Sequence, residues 1–371
     1  MNFLFVCGGS AGHINPAIAI ATELRRKQPD SKILFVGADK ILEKKLVPGA
    51  GFDLVNIQMS GLRRGFSITD IIHNIKTGKN LLSAIGKSTR LLKDFKPIAV
   101  IGTGGYVSYP VLKKAARKGI PTFVLEPNAY PGLAVRMLSN VVDKVFVTYK
   151  GLEYRYKRPD RVVYTGTPLR SEFLDTAITS RPPDEHDKPL VLSYWGSLGA
   201  VRMNEMIAEF IKQNIEKKRF KHIHAAGAGG GVERIKRSLE SLSVSEINEP
   251  FVEIVEYIDD ISTVMRSADI VISRAGASTI AELTALGKPA ILVPSPNVTE
   301  NHQEENAKQL QMLGGALMIK ENECTGEKLY KVVTDLLDDR NELESMAKAL
   351  KSLSMHNAAA SIVDIVIGYS R

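Results

Sequence analysis

The chain has 371 residues, of which 44% are hydrophobic and 24% charged, with a formal net charge of +8. That length exceeds what one ordinary core serves, so two domains of a soluble globular protein are expected. Two cysteines, Cys7 and Cys324, are no disulfide framework, and no apolar run approaches the ~18 residues that span a bilayer. A strand reading begins almost at Met1 and leaves no room for a signal peptide, so a cytoplasmic location is expected. Residues 1–170 hold 27 Lys/Arg against 11 Asp/Glu, whereas the remainder holds 22 against 30. The basic half favours an anionic surface or ligand, and a membrane surface or phosphorylated lipid fits. Nucleic acid does not, because the basic residues are not interleaved with stacking aromatics and no nucleic-acid-binding motif is present.

In chain order, "FLFVC" (3–7) reads as a buried strand that runs into the glycine turn "GGSAGHINPA" (8–17). The helix "INPAIAIATEL" follows, with Pro16 near its first turn, where a missing N–H is harmless. Gly8, Gly9 and Gly12 allow a sharp turn and a close approach to a ligand at which the helix aims its first amides. "KILFVGA", "FDLVNIQ", "IAVIGTGGY", "TFVLEP" and "KVFVTY" continue the series, with a second glycine loop at "GTGGYVSYP" (102–110). Between the third and fourth strands, residues 61–97 mix apolar side chains (Leu62, Phe66, Ile71, Ile75, Leu81, Ile85) with Arg63, Arg64, Lys76, Lys79, Lys87, Arg90 and Lys93. This stretch is expected to dock on anionic phospholipid.

A hinge is expected between Thr165 and Glu172, followed by the Pro-rich stretch "TSRPPDEHDKP". The series then begins again with "LVLSYWGSLGA", "HIHAAGAGGG", "VEIVEYI", "DIVISRAGAST" and "PAILVPSP". Two α/β domains with doubly wound parallel sheets are predicted, their glycine loops facing a shared cleft beyond the carboxyl ends of the strands.

Several features of that second series bear on chemistry. "WGSLGA" (195–200) can offer Ser197 and backbone amides to a phosphate, and it lacks the spacing of a hydrolase nucleophile elbow. "SRAGASTIAE" (273–282) puts small residues at a helix start and Glu282 on the first or second turn, where a carboxylate either favours the helix dipole or grips a ribose diol. Asn301, His302 and Gln303 follow a strand and can hydrogen-bond a sugar. A nicotinamide dehydrogenase would use Asp39 for the ribose, but "GGSAGH" is out of register for its glycine fingerprint. Asp259 and Asp260 read as helix caps, and no His/Cys cluster has metal-ligand spacing, so neither a metal nor a cofactor is expected.

"GGSAGHINPA", "GTGGYVSYP", "EPNAYPG", "GTPLR", "GSLGA", "VEYIDD", "RAGASTIAE" and "ENHQEENA", taken together and in this order, resemble the MurG-type glycosyltransferases of bacterial cell-wall synthesis. The resemblance runs from Phe3 to about Asn306. It implies a GT-B fold of two Rossmann-like domains, residues 1–168 for the acceptor and 169–349 for the donor, with a C-terminal helix at about 350–371 packed back on the first. It implies inverting transfer of N-acetylglucosamine from UDP-GlcNAc to lipid I, giving lipid II, on the cytoplasmic face of the membrane beside other cell-wall synthesis proteins. Another lipid-directed UDP-sugar transferase of this fold, a UDP-GlcNAc 2-epimerase and a non-catalytic UDP-sugar-binding protein are the rival readings.

Residue by residue, the resemblance implies donor contacts from Ser10, Ala11, Gly12, Asn128 and Arg170. It places Ser197 at the phosphates, the backbone of Ile258 at the uracil and Gln303 at the sugar hydroxyls. Ala277, Ser278, Thr279, Ile280, Ala281 and Glu282 are placed around phosphate and ribose. His13 is the implied general base, with Glu126 assisting. The chain departs from the family pattern at Ser10-Ala11 (usually Thr-Gly), at Trp195 and Leu198 (usually Gly and Gln), and at His302 (often Gln). An inverting transfer needs a base for the alcohol and a device that stabilises departing UDP; helix N-termini and glycine-loop amides can be that device.

Overall fold

A computed structural model of the chain describes residues 1–59, 68–175, 188–196, 198–244 and 251–370, and of residues 68, 70–79, 81, 82 and 299 it describes the backbone alone. The chain folds as two units, Met1–Ser171 with Met355–Arg371, and Glu172–Ser354. In the first unit, β1 (Asn2–Val6), β2 (Lys32–Gly37), β3 (Asp53–Asn56), β4 (Ala99–Gly102), β5 (Thr122–Glu126), β6 (Lys144–Val147) and β7 (Val162–Tyr164) pair in the order β3-β2-β1-β4-β5-β6-β7, every pair parallel.

Continuous apolar strands produce this sheet because both faces must be covered. Phe3 and Phe5 point to one face, where Phe35, Phe123 and Phe146 lie with Ile14, Ile20 and Leu24 of helix Ala11–Lys27. Leu4 and Val6 point to the other, against Val111 and Leu112 of helix Ser108–Arg117 and Ala84 and Leu92 of helix Ile68–Phe95. Stacked pairs Phe5–Phe35 and Phe123–Phe146 stand 5.2 and 5.9 Å apart, and each buried ring contributes roughly 1.5–3 kcal/mol. Helix Ala358–Tyr369 adds Ile362, Val363 and Val366 to the phenylalanine face, and Tyr369 meets Phe123 edge-on at 5.5 Å.

The second unit repeats the plan. β8 (Leu190–Tyr194), β9 (Lys221–Ala225), β10 (Val252–Val255), β11 (Ile270–Ser273), β12 (Ala290–Leu292) and β13 (Ala316–Met318) pair in the order β10-β9-β8-β11-β12-β13, again all parallel. The order reverses between β1 and β4 in the first sheet and between β8 and β11 in the second, so each sheet has its switch point beside its first strand.

Three sequence expectations are corrected. β7 and β13, three residues each, were not anticipated; they are edge strands too short to show a period. The first helix begins at Ala11, three residues before the "INPAIAIATEL" segment. Pro16 therefore lies in the second turn, and Gly12 loses the N–H that would have closed the helix onto its carbonyl. As to the membrane-docking stretch, residues 61–67 and the side chains of Ile68, Ile71, Ile72, Ile75, Lys76, Lys79, Leu81 and Leu82 lie outside the described residues; Lys87, Arg90 and Lys93 are exposed.

His222 and His224 of β9 are buried in the second unit, at 1% and 0% exposure. Burial holds both imidazoles far below their usual pKa, His224 at about 3. Because the folded state takes up these protons only at much lower pH than the unfolded state, their share of stability is complete above about pH 6.5 and is lost as pH falls toward 3. Trp195, the single tryptophan, is 4% exposed and 6.0 Å from the His224 ring, so it reports on this unit. Urea unfolding followed by its fluorescence should show a midpoint that drops steadily between pH 6.5 and 3; a flat midpoint over that range contradicts the buried-neutral assignment.

Candidate functional site

At the switch point of the first unit the loops after β1 and β4 lie side by side. Gly105, at φ +77°, sits so close to the Gly8 carbonyl that no Cβ fits. The Gly9 N–H donates to Glu43 Oε1 at 2.9 Å, and Glu43, in helix Ile41–Gly49, is fully buried. Nothing in "ILEKKLV" singles out Glu43 except its spacing of four from buried Val47, which puts both on one helix face.

Ser10 caps the helix with its carbonyl, which accepts from His13 N at 3.0 Å and Ile14 N at 3.2 Å; its side chain makes no cap bond and Ser10 is exposed. Ala11, Gly12 and His13 form the first turn and are half-buried. The His13 carbonyl accepts from Thr103 Oγ1 at 2.5 Å. Its ring lies against Gly104, where an added Cβ would stand 2.7 Å from both Cε1 and Nδ1. Gly104 also has φ +97°, and its carbonyl accepts from buried Ser108 Oγ at 2.6 Å. A glycine is thus required there twice over, by backbone conformation and by the imidazole.

Glu126 ends β5 at 2% exposure. Its Oε1 accepts from the backbone N–H (3.0 Å) and side-chain amide (2.9 Å) of Asn128, and Oε2 accepts from Gly132 N at 2.8 Å. The carboxylate organises the loop 127–132 and holds the Asn128 side chain. Arg170 lies at the end of the first unit, half-buried.

In the second unit the switch point sets the loop after β8 beside the loop after β11. Gly199 is packed so tightly on the Ala226 carbonyl that no side chain fits. Ser197 lies outside the described residues. Gly276 precedes helix Ala277–Leu286, whose first turn carries Ala277, Ser278, Thr279 and Ile280. Ser278 Oγ is buried without a hydrogen-bond partner. Ala281 and Glu282 follow; Glu282 is sixth in the helix, beyond the first turn in which a carboxylate serves the dipole best. The buried Tyr194 hydroxyl at the end of β8 adjoins Glu282, Thr279 and Ser273, and its pKa is pushed up by burial and then by the Glu282 charge. In the sequence Tyr194 reads as one more strand residue.

Ile258 is half-buried ahead of Asp260, which caps helix Ile261–Ser267 by accepting from Thr263 N at 3.2 Å and Ser262 Oγ at 2.8 Å. Gln303, second residue of helix His302–Met312, accepts from Ser295 N at 2.9 Å through Oε1. Arg274 pairs with Glu321 at 2.6 Å and donates to the Val293 carbonyl at 3.0 Å, tying the loops after β11, β12 and β13 together. Trp195 is buried at 4% exposure whereas Leu198 is 82% exposed, so of the two departures in this loop only Leu198 faces solvent. Among the described residues no group of three or more His, Cys, Asp or Glu could hold a metal ion.

The glycosyltransferase family 28 N-terminal domain matches residues 3–147 and the family 28 C-terminal domain matches residues 191–362. A protein of Acetivibrio thermocellus named UDP-N-acetylglucosamine--N-acetylmuramyl-(pentapeptide) pyrophosphoryl-undecaprenol N-acetylglucosamine transferase is 40% identical over 99% of this chain and 97% of its own. A protein of the same name from Caldanaerobacter subterraneus is 40% identical over 99% of both chains. Among solved structures, MurG of Acinetobacter baumannii matches with a TM-score of 0.77 and 25% identity over 99% of both chains. With both domain types in order and full-length relatives at this identity, the chain belongs to glycosyltransferase family 28, in its MurG group.

Proposed function

We propose that this chain transfers N-acetylglucosamine from UDP-GlcNAc to the undecaprenyl-diphospho-muramoyl-pentapeptide acceptor, turning lipid I into lipid II with inversion. The observation that carries the reading is 40% identity along nearly the whole chain to enzymes named for that transfer. The site geometry is compatible with it. His13 sits on the first turn of a helix at the switch point of the first unit, where an imidazole can take the proton of the acceptor hydroxyl. The freed alkoxide attacks the anomeric carbon from the side opposite the diphosphate, and the bond to UDP breaks. Charge that develops on UDP is met by the amides that open helix Ala277–Leu286 and by the loop after β8. Glu126 acts through the loop it holds, presenting Asn128, rather than as a second base. Glu282, backed by the buried Tyr194 hydroxyl, takes the ribose side, and Gln303 takes the sugar.

The excess of basic residues in 1–170 supports a peripheral position on anionic lipid of the inner leaflet, where each Lys or Arg contributes about 1 kcal/mol and binding weakens with salt.

The transfer itself is tested with UDP-GlcNAc and lipid I: lipid-dependent UDP release is expected, and its absence in a folded sample that binds UDP rejects the reading. His13→Ala should lower turnover by about two to four powers of ten with UDP affinity and melting temperature nearly unchanged. A turnover within a few-fold of wild type removes His13 from the base role. In Gly104→Ala, the new methyl displaces the imidazole, so kcat should fall by about a hundredfold without loss of UDP binding. Glu282→Ala should weaken UDP binding about ten- to a hundredfold in calorimetric titration, the effect of losing roughly 1.5–3 kcal/mol of charge-assisted hydrogen bonds; unchanged affinity returns Glu282 to the helix dipole.

A further inference from the structure

Inside the second unit a line of buried polar groups leads from the middle of the sheet to the Ala226 carbonyl, just past β9. Ser193 Oγ lies 2.7 Å from His222 Nε2 and 2.6 Å from His224 Nδ1. His224 Nε2 faces Asn204 Oδ1 at 3.4 Å, and Asn204 Nδ2 donates to the Ala226 carbonyl at 2.8 Å. Ser193, His222, His224 and Asn204 are all at least 98% buried, so water does not complete their bonds.

The Asn204 end points to one proton order, opposed only by the Ser193 carbonyl, which favours a protonated His224 ring. A carbonyl oxygen only accepts, so Asn204 must turn its NH2 to Ala226 and its oxygen to His224. His224 then carries its proton on Nε2 and leaves Nδ1 bare, which accepts from the Ser193 hydroxyl. Ser193, having donated its one proton, accepts from Nε2–H of His222. The line ends at His222 Nδ1, which has no partner; a bare imidazole nitrogen is a cheaper loose end than a stranded N–H or a charge.

The Ala226 carbonyl is the point this line holds. Gly199, in the loop after β8, and Gly231, first residue of helix Gly231–Ser241, both pack on it, each too close for a Cβ. Asn204 itself stands in the first turn of helix Val201–Lys217, immediately after the loop. We propose that His222, Ser193, His224 and Asn204 form a one-directional hydrogen-bond relay of neutral Nε2–H imidazoles whose role is to position Gly199, in the loop after β8, for the donor diphosphate. This rests on the donor reading given above for that loop. Asn204, His224 and Ser193 are positioning residues: none touches the donor.

The relay is read directly in the unmodified full-length protein by 15N resonances of the histidine rings at neutral pH. Both buried histidines should show protonated Nε2 and bare Nδ1, and a protonated Nδ1 on His224 overturns the relay. Its role is read in Ser193→Ala and Asn204→Ala, each checked for a cooperative melt. The donor KM and the UDP dissociation constant should rise about tenfold in a folded variant while kcat at saturating donor stays near wild type. A purely structural role lowers the melting temperature and leaves donor KM alone, which overturns the positioning inference. Should Asn204→Ala fail to fold, Ser193→Ala decides, because it deletes one small hydroxyl. If wild type itself does not bind UDP, the donor reading has failed, and the ring tautomers are still decided by their own resonances.

Discussion

Both sheets are parallel throughout and covered on both faces, and this one constraint governs where chemistry can be placed. The strand interiors are closed to water, so polar groups with work to do collect where the strands end and hand over to helices. Several backbones meet at those ends within van der Waals distance. The Gly105–Gly8 contact in the first unit and the Gly199–Ala226 contact in the second leave no volume for a Cβ. The glycines of these contacts are thus needed by the protein's own packing before any ligand is considered.

A buried polar group at such an edge is tolerated only when its bonds are met nearby. Glu126 is met by three N–H groups of its own loop, Glu43 accepts from Gly9, and Arg274 is met by Glu321 and the Val293 carbonyl. Each therefore fixes a loop, and none of them stabilises the fold by much on balance, because desolvation offsets most of the attraction. What they contribute is definition: the loops carrying His13, Asn128 and the start of helix Ala277–Leu286 are held from beneath by buried side chains.

Much of the fold was legible in the sequence. The central strands could be read because burial on both faces demands unbroken apolar runs such as "FLFV" and "IVIS", and each was followed by a glycine turn. β7 and β13 escaped because a three-residue edge strand is defined by its neighbour's hydrogen bonds and has no pattern of its own. His13, Glu126 and Glu282 stand out in the sequence by their places at strand ends or helix starts. Glu43, Tyr194, Asn204 and His224 do not, since a glutamate in a lysine-rich helix or a histidine in a strand looks the same whether it faces solvent or core. The substitutions at Trp195 and Leu198 also look alike in the sequence, yet one side chain turns into the core and the other into solvent.

By itself the sequence determined the fold class, through runs of apolar residues too long to alternate, and it determined the residue types at the loops, through glycines that no other residue can replace. Strand order, and with it the pairing of the first glycine loop with Thr103-Gly104 and of Gly199 with the Ala226 carbonyl, was decided only by the tertiary structure. So was the placement of helix Ala358–Tyr369 on the phenylalanine face of the first sheet, some 330 residues along the chain from its partner Lys27, which donates to Asp364 and to the Ala360 carbonyl. The reason is physical: periodicity reports how much of an element is buried, whereas what it is buried against depends on which apolar faces remain uncovered once the whole chain has condensed.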